Sequence, residues 1–274
     1  MDLLRKKIEA VKKYFKETGA CTAVLGISGG KDSTVAAALL TEAFIELNEN
    51  PWSSEAEIYT VLGVMMPNGV QADIADSERL CKFLEDRVKP SCWFSHTQFN
   101  IEPAYKSILS QIVLNGRAYS EQTSVNLAPR LRMSTLYAIS QSMYKSRVCC
   151  TSNKCELFLG YGTLYGDIAG DFAPLADLTV SEVRELGMKL GLPEDLVMKT
   201  PTDGLPVEDK NGNEIIRSDE DKLGVTYEQV EKFIKYHEMG AYVCPPDQRK
   251  AWERIQKLHD SSEFKRKMWA VPII

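Results

Sequence analysis

Residues Gly26-Ile27-Ser28-Gly29-Gly30-Lys31-Asp32-Ser33 follow the apolar run Ala23-Val24-Leu25 and precede Thr34-Val35-Ala36-Ala37-Ala38-Leu39-Leu40. That order predicts a buried strand, a glycine-rich loop and a helix. Gly29 and Gly30 have no Cβ, so their N–H groups can approach an anion closely. A helix starting here would present unpaired N–H groups, which favour a bound phosphate. The common nucleotide-triphosphate loop is excluded, because three residues separate Gly26 from Gly30 and Lys31 is followed by Asp32, not by a hydroxyl residue. A carboxylate inside a phosphate loop calls for a hard cation such as Mg²⁺ between the two anions.

Downstream, the β-rich run 58–64 and a helical stretch over 72–86 continue a β-α-β-α alternation. A third strand is expected near 91–94, a helix over 101–114 and a long helix over 126–147 in which Pro129 is tolerable only in the first turn. A short buried strand is expected over 147–151. These units imply an α/β fold, a Rossmann-like doubly wound parallel sheet with helices on both faces and ligands at the carboxyl ends of the strands. Residues 203–225 are rich in Pro, Asp, Gly and Lys and read as a mobile lid loop. Helices over 226–236 and 246–258 then lead to a basic tail, 259–274, containing Phe264-Lys265-Arg266-Lys267. A chain of 274 residues with 44% hydrophobic content suits one domain spanning 1–274.

The net charge of −5 provides no global attraction to nucleic acid, which favours small-molecule chemistry. No segment reads as a signal peptide or a bilayer span. The seven cysteines form no Cys-x-x-Cys pair, which argues against a zinc ribbon or dithiol site and reads as reduced thiols in a cytoplasmic protein.

The loop Ser28-Gly29-Gly30-Lys31-Asp32-Ser33 resembles that of the ATP pyrophosphatases, which split ATP between the α and β phosphates and activate an acceptor oxygen as an adenylate. Four further segments are similar, in order, to ammonia-dependent NAD synthetases: 67–73, 126–133, 151–175 and 199–205, with 218–227 resembling the end of that family's mobile loop. The resemblance implies ATP at Gly26, Ser28, Gly29, Gly30, Lys31, Asp32, Ser33, Thr151 and Thr202. It implies Mg²⁺ on Asp32 and Glu156, and catalytic roles for Asp32, Glu156, Ser28 and Thr202. Nicotinic acid adenine dinucleotide is expected at Arg130, Tyr161, Asp167 and Asp171, with Tyr161 stacking on a ring. Lys265 and Arg266 are candidates to supply positive charge there.

The implied activity is amidation of that dinucleotide to NAD with ATP and ammonia, releasing AMP and pyrophosphate. The family assembles as a homodimer, and the chain lacks length for a glutaminase domain, so free ammonia or a separate glutaminase must supply nitrogen. Three departures stand out. Leu164 and Val180 occupy positions where the family usually has lysine, one toward the dinucleotide and one toward ATP, and Phe264 stands where it has histidine. Two alternatives stay open from the residues: an ATP pyrophosphatase that amidates or thiolates another nucleotide or tRNA, and a non-catalytic nucleotide sensor.

Overall fold

A computed structural model of the chain describes residues 2–49, 57–70, 74–201, 206–208, 214–240, 244–268 and 271–274. The elements run α1 (Leu3–Thr18), β1 (Thr22–Gly26), α2 (Lys31–Asn48), β2 (Thr60–Met65), α3 (Ile74–Val88), β3 (Phe94–Gln98), α4 (Glu102–Leu114), α5 (Glu121–Gln141) and β4 (Ser146–Val148). After these come α6 (Lys154–Leu159), α7 (Val180–Lys189), α8 (Glu194–Val197), a hairpin of β5 (Pro206–Glu208) and β6 (Glu214–Ile216), α9 (Asp219–Leu223), α10 (Tyr227–Glu238), α11 (Arg249–Ser261) and α12 (Glu263–Met268).

The first four strands form a parallel sheet in the order β3-β2-β1-β4. Side-chain alternation along β1 divides its apolar residues between two cores. Ala23 and Leu25 join a cluster with Phe15 of α1, Leu39 and Phe44 of α2, and Leu186 of α7. Val24 turns the other way and, with Val64, meets Leu131, Leu136 and Ile139 of α5. Burial on both faces explains why β1 and β2 read as continuous apolar runs. Chain order reverses at β1, with β2 on one side and β4 on the other. The crevice at their carboxyl ends is therefore the topological switch point where such sheets bind ligands.

A further cluster, with Leu159, Val230, Phe233, Trp252 and Ile255, packs α6, α10 and α11 together. Bridges between Cys149 and Phe172 and between Ala173 and Ile273 carry pairing beyond β4.

Several boundaries differ from the sequence reading. The long helix starts at Glu121, where the Ser120 side chain accepts the Thr123 N–H, and ends at Gln141. Pro129 thus lies in the helix interior, where it cannot donate to Val125. The turn after Gln141 is closed by Lys145 at φ 44°, so β4 begins at Ser146 and is only three residues long. The third strand lies later than expected, at 94–98. Of the segment expected as a lid, 203–205 and 209–213 lie outside the described residues. The rest contains the β5–β6 hairpin and α9, which is anchored by the buried side chain of Leu223.

Candidate active site

The two segments flanking the switch point bring together residues far apart in the chain. After β1, Gly29 turns the chain at φ 77° and Gly30 precedes α2 with no side-chain cap. The first-turn N–H groups of α2 are left facing the crevice, the arrangement that binds anions. The loop is closed by its serines. Ser28 Oγ lies 3.0 Å from Ser33 Oγ and accepts the Gly30 N–H at 3.2 Å, while Ser33 Oγ donates to the Gly30 carbonyl at 3.1 Å.

After β4, Thr151 leads into Asn153, the cap of α6. Asn153 and Glu156 exchange side-chain to main-chain hydrogen bonds of 3.1 Å in each direction, a capping box. The Asn153 amide also donates to Asp32 Oδ1 at 3.1 Å. One asparagine therefore ties Asp32, from the β1 loop, to the helix carrying Glu156.

The charges here are only partly balanced. Lys31 Nζ donates to Asp32 Oδ2 at 2.6 Å, with 2% of the lysine side chain exposed. Burial opposes the Lys31 charge, but Asp32 and Glu156 outweigh it and hold its pKa above the ordinary value. Burial, reinforced by the Asp32 charge, pushes the Glu156 carboxyl well above the usual carboxylate range. The guanidinium of Arg184, on α7, is near enough to oppose the Lys31 charge, and its Nε is buried without a hydrogen-bond partner. Lys199 reaches the loop from beyond α8, donating to Asp76 Oδ2 at 2.7 Å and to the Gly29 carbonyl at 3.4 Å.

Mg²⁺ fits this donor set. Two hard carboxylates sit close enough for one to raise the pKa of the other, a cost that a divalent cation between them removes. Among the described residues no cluster of three or more His, Cys, Asp or Glu side chains is present. Two protein carboxylates suit an ion that completes its shell with water and phosphate oxygens.

The residues expected at the dinucleotide fall in two places. Around the 160–167 turn, Arg130 Nε donates to the Leu164 carbonyl at 3.3 Å, and Asp167, its pKa raised by burial, accepts the Thr163 N–H at 2.8 Å. Tyr161 packs beside the α6–α10–α11 cluster and donates its hydroxyl to Asp219 at 3.0 Å. Beside β4, Asp171 accepts the Val148 N–H at 2.8 Å and the Tyr137 hydroxyl at 3.2 Å, and lines a cavity of about 350 Å³ with Lys145 and Arg147.

Lys265 donates to the Gly160 and Gly162 carbonyls at 2.8 and 2.6 Å. Arg266 donates to Phe158 and His259 carbonyls and to Ser262 Oγ. Gly160 is required here, since a Cβ would lie 2.1 Å from that of Ser262. Thr202 lies outside the described residues.

Residues 3–269 match the family model for NAD synthase. The chain belongs to the NAD synthase family. It is 34% identical over 270 residues to the NH(3)-dependent NAD(+) synthetase of Limosilactobacillus fermentum, covering 98% of this chain and 90% of the relative. The structure of NMN synthetase from Francisella tularensis superposes with a TM-score of 0.76 at 30% identity, covering 99% of this chain and 97% of that one. The NH3-dependent NAD synthetase from Campylobacter jejuni, solved with nitrate, gives 0.70 at 27% identity with 98% of each chain covered.

Sequence reasoning overlooked Asn153, Arg184, Lys199 and Tyr227. Asn153 carried a local signal, since Asn-x-x-Glu is a capping-box spacing, and Lys199 and Tyr227 fall at the ends of the segments 199–205 and 218–227 that carry the resemblance. Arg184 is brought in by tertiary packing.

Proposed function

We propose that the chain is an ATP-dependent amide ligase that converts nicotinic acid adenine dinucleotide to NAD with ammonia. The observation carrying this reading is the meeting of Asp32 and Glu156 across the β1/β4 switch point, beside an uncapped helix terminus. The nicotinate carboxylate oxygen attacks the α-phosphorus of ATP, the bond to the β-phosphate bridging oxygen breaks, and pyrophosphate leaves. Ammonia then attacks the acyl carbon, loses a proton and expels AMP, leaving the amide.

The protein's part is alignment and charge stabilisation. The α2 N–H groups and Lys31 hold phosphate oxygens, with Ser28 and Ser33 shaping the loop. Mg²⁺, held by Asp32 and Glu156, would neutralise phosphate charge. Arg184 stands one helical turn beyond Val180 and supplies the cation that Val180 lacks. Thr151 and Thr202 complete the ATP contacts. Arg130, Asp167 and Asp171 orient the dinucleotide, with Tyr161 shaping that pocket and Lys265 and Arg266 setting the tail beside it.

Residues 214–225, the longer described part of the segment read as a lid, close over the site and keep water from the adenylate. The chain works as one catalytic unit in a homodimer. The exposed apolar side chains of Val113 and Leu114, on a helix α4 that buries none of its residues, support that assembly. Seven free cysteines suit a reducing cytoplasm, and among the described residues no helix is long and apolar enough to cross a membrane.

A second reading keeps the chemistry and shortens the acceptor to nicotinic acid mononucleotide. Its support is the superposition on an NMN synthetase, together with Leu164 in place of a cation toward the dinucleotide. Incubation with ATP, Mg²⁺, ammonium and each acid in competition, read by mass detection, separates the two. NAD⁺ with stoichiometric AMP and pyrophosphate is expected; preferential NMN formation would select the second reading. Absence of both products would leave the sensor or another acceptor.

A further inference from the structure

The ring and the hydroxyl of Tyr227 are in unlike circumstances. Thr226 caps α10 by accepting the Gln229 N–H, and the Tyr227 N–H donates to Glu220 Oε1 at 2.7 Å, so the residue is held at a fixed helix start. The side chain is 4% exposed. Its ring centroid lies 5.7 Å from Lys31 Nζ, the same ammonium that donates to Asp32. A cation held over a desolvated aromatic face is attracted to it, so the ring steadies Lys31 in addition to its carboxylate partner.

The hydroxyl is buried and has no hydrogen-bond partner. Such a group lowers stability unless something else satisfies it, and phenylalanine would fill the position without that cost. Glu156, Asp219, Asp32 and Tyr161 all act electrostatically on the phenol, which places it against the carboxylate group of the site. Yet Asp219 already accepts from Tyr161, Asp32 from Lys31 and Asn153, and Glu156 from the Asn153 N–H. The Tyr227 hydroxyl thus remains a buried donor without a partner, close to Lys31 and to the carboxylates at the start of α2, where the nucleotide phosphates are expected.

We propose that Tyr227 is a nucleotide-contacting residue, its ring fixing Lys31 and its hydroxyl donating to a phosphate oxygen of bound Mg²⁺–ATP. This rests on the ATP-dependent reading above.

The test compares Tyr227→Phe, which deletes only the hydroxyl, with Tyr227→Leu, which removes the ring as well. Thermal stability without ligand and calorimetric titration with Mg²⁺–ATP alone need no amidation. Tyr227→Phe is expected to be at least as stable as wild type and to bind Mg²⁺–ATP about tenfold more weakly, the loss of one hydrogen bond to a charged group. Tyr227→Leu should lose stability and weaken binding further. If wild type binds Mg²⁺–ATP and Tyr227→Phe binds it equally well, the hydroxyl has no role with the nucleotide and the inference fails alone. A Tyr227→Phe protein that is less stable but binds normally would assign the hydroxyl to the fold. Failure of wild type to bind Mg²⁺–ATP would overturn this inference and the ATP-dependent reading together.

Discussion

Charges are drawn away from water in two regions of this protein, the C-terminal tail and the crevice between β1 and β4. In the tail, Lys265 and Arg266 end on the carbonyls of Phe158, Gly160, Gly162 and His259. In the crevice, Glu156 is pushed toward its neutral form, Lys31 and Arg184 oppose each other, and the Arg184 Nε and Tyr227 hydroxyl are unpartnered. Half-buried charges whose hydrogens end on carbonyls hold secondary structure elements together. Buried polar atoms without a partner lower stability and persist where a ligand completes them. By this criterion we propose the crevice as the place for chemistry, with Lys265 and Arg266 of the tail held to the chain beside it.

The sharpest way to break the comparison is Asp32→Asn. Removing one of two hard ligands should lower pyrophosphate release by about 10²–10³-fold while the denaturant midpoint stays near that of wild type. Near-normal turnover across a magnesium titration would return Asp32 to an ordinary helix-start residue.

Arg184→Gln should raise the Michaelis constant for ATP about tenfold or more, as expected for loss of a charge-assisted contact. Relief of the repulsion on Lys31 should leave stability unchanged or higher. A destabilised variant with unaltered kinetics would move Arg184 to the scaffold side.

In the tail the pattern should invert. Arg266→Leu leaves carbonyls of α6 and α11 without their donor and should cost about 1–3 kcal/mol in denaturant unfolding, with turnover per folded molecule little changed. Lys265→Met should behave similarly. A raised Michaelis constant for the dinucleotide that weakens with salt would show that Lys265 also faces substrate. The smallest effect concerns dynamics: hydrogen exchange across 214–225 should slow when ATP and the dinucleotide bind together, and equal exchange in both states would remove the lid.

How much of this was legible follows the range of the interactions. The β1–loop–α2 unit could be read directly, because strand burial, glycine placement and helix start lie within one continuous stretch. The approach of Asp32 and Glu156 is a property of strand order, and the resemblance supplied it before the sheet explained it. Pro129 misled because a first-turn position is the rule for proline, whereas Ser120 caps the helix well upstream. The β5–β6 pairing was missed because each strand is only three residues long, too short to show alternation. Arg184 carries no motif and Tyr227 only ends the 218–227 resemblance, and their unpartnered atoms become meaningful only once α7 and α10 are packed around the loop.

Thermal denaturation of wild type and Glu156→Gln from about pH 4 to about pH 8, beside NAD⁺ formation, tests the carboxylate pair most directly. The unfolded chain releases the Glu156 proton above about pH 4.3, whereas the folded protein holds it to higher pH because burial and the Asp32 charge raise its pKa. Wild type therefore loses stability as pH rises through that interval in the absence of divalent cation, and glutamine removes the loss. The variant should match wild type near pH 4, exceed it increasingly toward pH 8, gain little from Mg²⁺–ATP and make almost no NAD⁺. A Glu156→Gln protein that is less stable than wild type at pH 8, or that retains turnover, would contradict a carboxylate pair strained for metal binding.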